Sequence, residues 1–193
     1  MTAVLLLAAM FISPAEIKPD CSVARFEKSF AVTGRIVRAT WSVSAQGVFE
    51  AEVNGTYVGD DFLKPGFVSV EKARHVYEYD VTGLLQRENG LTNRLSATVA
   101  PTWWCDSSMN ERSAHRPGGL KPTWKLGRNV AFYGILRIDF SDGGRQEIGT
   151  DESWSAAYTG PVRFADLYDG EVYDARKGYE KSSAGRSKRR IHR

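Results

Sequence analysis

Asp60 and Asp61 are adjacent carboxylates inside the stretch Gly47–Tyr79, GVFEAEVNGTYVGDDFLKPGFVSVEKARHVYEY. Two carboxylates on one loop offer oxygen donors to Ca²⁺, which tolerates irregular geometry, and they accept hydrogen bonds from sugar hydroxyls. The plainer alternative is that Asp60 caps a turn while Asp61 is solvated. Trp103 and Trp104 form a second pair. An exposed indole has an apolar face and a polar edge, which suits the apolar side of a sugar ring. Neighbours in extended backbone point to opposite sides, so one of these indoles joins the core while the other stays outside; alternatively both are core or cover a sheet edge. Asp169-Gly170-Glu171 is a third acidic group. Glycosidases place two carboxylates about 5 Å or 6.5–9.5 Å apart, a separation that spacing in sequence does not fix. Acidic clusters at strand ends are ordinarily solvated, and no residue of this chain is assigned as catalytic.

Other chemistries lack their signatures. Cys21 and Cys105 are too few for a disulfide framework or a cysteine-based metal site, and they read as two buried thiols or one bridge. His75, His115 and His192 have no Cys or His at ligand spacing. There is no G-x-S-x-G, no HExxH and no phosphate-binding glycine loop. Asn54-Gly55-Thr56 matches a glycosylation sequon, but Asn-Gly between extended runs is also the strongest short hairpin signal, because a type I′ turn needs positive φ at both central residues.

The elements that hold these groups are short strands. Ala24–Phe30 alternates, and Arg35–Ala45 puts Val37, Ala39, Trp41, Val43 and Ala45 on one face. A hairpin over Val48–Val58 follows, and the acidic loop ends in Pro65-Gly66 before a strand over Arg74–Tyr79. Asp80 is placed to cap one helical turn that carries Leu84 and Leu85 inward. Asn93–Ala100 is a further strand, and Pro101–Arg128 is aperiodic yet rich in aromatics. Strands resume over Asn129–Phe140, Arg145–Thr150, Trp154–Tyr158 and Val162–Phe164. Roughly eight short strands with regular turn signals and no long helix predict an all-β, antiparallel jelly-roll β-sandwich.

Composition bounds the partners. The net charge is +3, but residues 177–193 hold seven Lys/Arg and one Glu out of chain totals of 26 and 23, so the rest of the chain is acidic at −3. A basic tail on an acidic body is not the footprint of a nucleic-acid-binding face. The apolar run Ala3–Ile12 is too short to span a bilayer. It has the length of a signal-peptide core without the positive start, so extracellular, periplasmic and cytoplasmic locations all stay open. The expected organisation is an N-terminal segment over 1–23, one β-sandwich domain over 24–176 and a basic, disordered tail over 177–193.

Three strings carry a resemblance. Ala45–Phe49 continues into Val53-Asn54-Gly55, Val58-Gly59-Asp60 and Leu63-Lys64-Pro65-Gly66; Tyr77–Thr82 reads YEYDVT; Thr150–Trp154, Gly160-Pro161-Val162 and Asp166–Arg176 read TDESW, GPV and DLYDGEVYDAR. Together they resemble the N-terminal β-sandwich domain of bacterial α-L-rhamnosidases, glycoside hydrolase family 78. The resemblance implies a jelly roll of the galactose-binding-domain-like kind. In that family an (α/α)6 barrel, which has no counterpart here, hydrolyses terminal α-L-rhamnosides, so this chain alone is expected to be inactive. It also implies a calcium-dependent rhamnose-binding role with its sugar loop at Asp60-Asp61, or else a purely structural role beside the catalytic barrel. Two departures from the family stand out: Pro101-Thr102-Trp103-Trp104-Cys105 replaces its GWY loop, and the likeness stops after Arg176. The expected partners are L-rhamnose or rhamnose-containing glycans and the (α/α)6 domain, with no nucleic acid and no membrane.

Overall fold

Strands form where apolar side chains alternate and Gly, Asn or Pro interrupts them. The computed structural model describes residues 9–17, 22–66, 73–87, 90–104, 127, 129–166 and 170–178. In chain order its strands are β1 (Ala24–Ala31), β2 (Ile36–Gln46), β3 (Val48–Val53), β4 (Thr56–Tyr57), β5 (Tyr77–Asp80), β6 (Thr92–Ala100), β7 (Ala131–Phe140), β8 (Arg145–Gly149), β9 (Ser155–Ala157), β10 (Val162–Asp166) and β11 (Gly170–Tyr173). One sheet has the order β4-β3-β6-β1-β9 and the other β5-β2-β7-β8, while β10 and β11 make a separate ribbon. Every pairing is antiparallel. The fold is the all-β antiparallel sandwich expected from the strand pattern.

The two sheets meet on Phe132. Its ring lies 5.8 Å from Phe26, 6.3 Å from Phe49, 6.2 Å from Trp41 and 5.8 Å from Trp154, mostly in tilted or edge-on geometries that suit aromatic quadrupoles. Trp41 fits because Gly134, two residues along β7 from its register partner Leu136, has no side chain: a Cβ there would stand 2.9 Å from the indole nitrogen.

One register differs from the expected alternation. Val37 does not join Ala39, Trp41, Val43 and Ala45; it is 61% exposed, and Ile36 is buried instead. A bulge between Ile36 and Arg38 in the β2–β7 ladder is the cause, since one extra residue turns every earlier side chain to the other face. The strand expected over Arg74–Tyr79 begins only at Tyr77; before it, the His75 carbonyl accepts from Ser44 Oγ at 2.7 Å.

The end of the apolar N-terminal run belongs to the core. Ile12 is buried and exchanges two 2.9 Å backbone hydrogen bonds with Phe132, continuing along β7 where β8 ends. Asn129 donates to the carbonyls of Pro14 and Glu16, and Tyr158 Oη donates to Glu16 as well. On the outer face of the other sheet Arg25 is nearly buried. It donates to Glu27 at 2.9 Å, to both carboxylate oxygens of Glu52 at 3.1 and 3.2 Å, and to Ser96 and Thr98.

No helix among the described residues is long and apolar enough to cross a membrane. Cys21, Cys105, His115, His192 and Asp169, most of the stretch Pro101–Arg128 and most of the tail 177–193 lie outside the described residues.

Candidate functional site

The acidic loop is built from its turns upward. Asn54 takes φ 53° and Gly55 φ 84°, the positive pair a type I′ hairpin requires, and β3 and β4 join there. Asn54 is bound on every side: its amide nitrogen donates to Leu84 O at 2.9 Å and Asn93 Oδ1 at 2.8 Å, and its oxygen accepts from Arg94 N at 2.8 Å. The sequon nitrogen is thus occupied by two internal hydrogen bonds.

After Val58 the chain turns at Gly59, φ 72°, where a Cβ would come within 2.5 Å of the Tyr79 ring. Only glycine lets the loop lie flat against that ring. Asp60 and Asp61 are exposed. Asp61 Oδ2 accepts from Tyr79 Oη at 3.2 Å, whereas Asp60 has no hydrogen-bond or ion-pair partner among the described residues. Phe62 stands 90% exposed at the tip beside half-exposed Leu63, which itself holds φ 56°.

The chain then dives. Lys64 is buried, donates its ammonium to Val58 O at 3.1 Å and lies 5.0 Å from the Tyr79 ring centre and 5.5 Å from that of Phe49. The loop is therefore clipped shut from inside by a cation. Burial pulls the Lys64 ammonium below its ordinary value, opposed by Asp61, Glu50 and Asp60. Burial, then the hydrogen bond and charge of Asp61, pushes the Tyr79 phenol above its ordinary value.

Trp103 and Trp104 sit in a turn rather than a strand, closed by Trp104 N donating to Pro101 O at 2.9 Å. Trp104 is in the core and donates its indole N–H to Asn129 O at 2.9 Å; Trp103 is half-buried. The residue before them is strained. Thr102 holds φ 42°, which a β-branched side chain avoids, and its buried hydroxyl has no partner among the described residues. Both indoles line a shallow hollow of about 20 Å³, room for about one water, together with Ser44, Pro65, Gly66, Arg74 and His75. One expected pair and the far end of the acidic loop thus converge, while Asp60 and Asp61 lie outside the hollow.

The carboxylate pairs bring no metal cage with them. Among the described residues no three His, Cys, Asp or Glu side chains group as a metal site. Calcium takes six to eight oxygens, so Asp60 and Asp61 would supply only part of a shell. Glu171 is exposed on the β10–β11 ribbon, and Asp169 lies outside the described residues.

The sequence singles out Asp60, Asp61, Trp103 and Trp104 as candidates but not Phe62, Lys64, Tyr79, Arg74 or His75 beside them. An aromatic directly after two carboxylates was the one available signal for Phe62. Nothing local marks Lys64 as buried.

Fold and loops together define a small β-sandwich module with a stiffened acidic loop at one edge and an aromatic hollow behind it. The chain belongs to the α-L-rhamnosidase N-terminal domain family, whose profile matches residues 34–191, so the likeness runs past Arg176, where it was expected to stop. It is 32% identical over 148 residues to an α-L-rhamnosidase of Formosa agariphila, covering 77% of this chain and 15% of that protein. It is 34% identical over 146 residues to one of an Alteromonas species, covering 75% and 14%. Among solved structures it resembles the native α-L-rhamnosidase of Aspergillus terreus with a TM-score of 0.75 and 30% identity over 90% of this chain and 19% of that one. It also resembles the Streptomyces avermitilis α-L-rhamnosidase complexed with L-rhamnose, with a TM-score of 0.69 and 29% identity over 84% and 15%. The chain thus spans about 15% of the length of the curated relatives it matches.

Proposed function

We propose that this chain is the accessory module of an α-L-rhamnosidase and works by binding rhamnose-containing glycans rather than by cleaving them. The observation that carries the reading is the stiffened loop: Lys64 and Tyr79 hold Asp60 and Asp61 outward beside an almost fully exposed Phe62. L-Rhamnose is a 6-deoxy sugar with a methyl group. A ring presenting hydroxyls to Asp60 and Asp61 and its methyl to Phe62 would satisfy both chemistries. At the other end of the loop the Trp103 face would take a second ring of the same glycan. Trp104, locked in the core through Asn129, lines the floor and does not stack. Asp60 and Asp61 would supply carboxylate oxygens to a calcium ion, whose charge would add affinity for sugar hydroxyls at the loop.

A second reading has its own support. The family strings serve the fold: Asp151 caps the turn that seats Trp154, whose indole donates to Gly149 O at 2.9 Å, and Asp80 caps the turn at Thr82. That suits a module whose role is to pack beside an (α/α)6 catalytic domain.

Calorimetric titration with L-rhamnose separates the two, run with Ca²⁺, with EDTA and on Asp60→Ala/Asp61→Ala. Saturable heat lost in the double variant supports binding, and loss on chelation adds calcium to it. No heat from a folded chain leaves the packing role.

A further inference from the structure

The β10–β11 ribbon stands apart from the sandwich. It joins neither sheet, and β11 pairs with β10 alone among the described strands. Register places Phe164 opposite Val172 and Ala165 opposite Glu171. Opposite residues share a face and neighbours alternate, so Phe164 and Val172 lie on one face while Ala165, Glu171 and Tyr173 lie on the other. Apolar side chains on both faces are the pattern of a strand buried on both sides. This ribbon is not so buried: β11 is exposed along its whole length, Val172 at 56% and Tyr173 at 60%. None of the ribbon's apolar side chains is in the core cluster or packed on it among the described residues. Glu171 has no hydrogen-bond or ion-pair partner among them. The foot of the ribbon is nonetheless held. Asp174 N donates to Pro161 O at 2.8 Å, Arg163 donates to Tyr158 O at 3.0 Å, and Arg176 donates to both Asp174 carboxylate oxygens at 2.8 and 3.0 Å. A two-stranded ribbon is marginal by itself in water, so one with a fixed foot and uncovered apolar faces calls for a covering surface.

We infer that the β10–β11 ribbon docks on a neighbouring domain of a longer α-L-rhamnosidase polypeptide. The chain spans about 15% of the length of the relatives it matches, so those enzymes hold most of their surface outside this module. The surface that fits is apolar against Val172 and Tyr173 and carries a cation against Glu171. A second copy of the chain suits the ribbon less well. Pairing through β11 would bring four residues a side, where a stable interface between separate molecules takes about 20–30. A domain tethered in the same polypeptide meets the ribbon at a high effective concentration, so a small contact suffices. The inference rests on the packing reading and names its face. It does not draw on the acidic loop, which belongs to another part of the chain.

The test is the double variant Val172→Asp/Tyr173→Asp, made in the whole chain and, at the matching positions, in the intact Formosa agariphila α-L-rhamnosidase. In the whole chain it is expected to melt within about 2 °C of the wild type and to leave L-rhamnose titrations unchanged, since both side chains are exposed. In the intact enzyme it is expected to shorten the half-life of rhamnosidase activity near the unfolding temperature about tenfold, because the same carboxylates would be forced into a dry contact. An enzyme that loses no stability overturns the inference. So does a whole chain that the double variant unfolds, since the module itself would then hold the ribbon. Sedimentation of the wild-type chain as a dimer that the double variant makes monomeric would assign the face to a second copy and overturn it too. Absence of rhamnose heat from the wild-type chain would sink the sugar reading of the acidic loop and leave this face untouched, so the two fail separately.

Discussion

Tyr79 donates its phenolic hydrogen bond to Asp61 Oδ2 across 3.2 Å, tying β5 to a loop eighteen residues earlier in the chain. The contact fixes one of the two exposed carboxylates. Its partner ring is also the surface on which Gly59 and Lys64 rest.

Tyr79→Phe is therefore expected to cost about 0.5–1.5 kcal/mol at neutral pH and to weaken rhamnose binding. The pH dependence follows from the raised phenol. A proton held more tightly in the folded chain contributes stability that is intact below the unfolded value, about 10, and is lost as pH rises from there toward the folded value. Urea midpoints from pH 8 upward should fall more steeply above pH 10 for the wild-type chain than for Tyr79→Phe. Parallel curves would show that the phenol does not carry the linkage.

Arg25 and Glu52 are both buried on the outer sheet face, and Glu27 shares the guanidinium. Burial alone would lower the Arg25 value, but the hydrogen bonds from Glu52 and Glu27 and their charge more than offset it. Removing one partner of a buried pair strands the other, so Glu52→Ala should cost about 3–5 kcal/mol. Arg25→Met/Glu52→Leu should cost less than Glu52→Ala alone. Denaturant unfolding checks the order, and a double variant worse than the single would contradict it.

Thr102 is strained at φ 42°, and its buried hydroxyl has no partner among the described residues, immediately before the indoles of the hollow. Thr102→Gly should stabilise the chain by about 1 kcal/mol, since glycine accepts this backbone and leaves no stranded hydroxyl. Thr102→Ala, which keeps the Cβ, should gain less. Thermal melts of the three chains give the ranking directly.

Asn54-Gly55 would ordinarily be a fast deamidation site. Here the Asn54 amide is held by Leu84, Asn93 and Arg94. Mass spectrometry after prolonged incubation at pH 8 should find Asn54 intact in the folded chain and converted in urea. Asn54→Asp removes the amide donor facing Leu84 O and Asn93 Oδ1, and should cost about 1–3 kcal/mol.

The alternation at Ala39–Ala45 and the Asn54-Gly55 hairpin were legible, and so was the capping by Asp80, though it closes a plain turn rather than a helical one, because period and turn chemistry are local properties of a chain. The bulge at Val37 was not, since an isolated strand gives no sign of which residue its partner will skip. Arg25 and Glu52 were equally silent: each reads as an outward, solvated charge, and only the meeting of β1 with β3 across β6 makes them a buried pair.

The sequence by itself determined the class of fold, the family and the identity of the two residue pairs at the candidate site. Tertiary structure decided what those pairs can reach. Lys64 is a surface residue by type and became the internal clip of the acidic loop because Tyr79 and Phe49 approach it from other strands. Trp104 was assigned to the core and Trp103 to the hollow by a turn closed at Pro101, and Arg74 and His75 joined them across some thirty residues of chain. Contacts of that kind depend on distances between segments, and spacing along a sequence does not encode them.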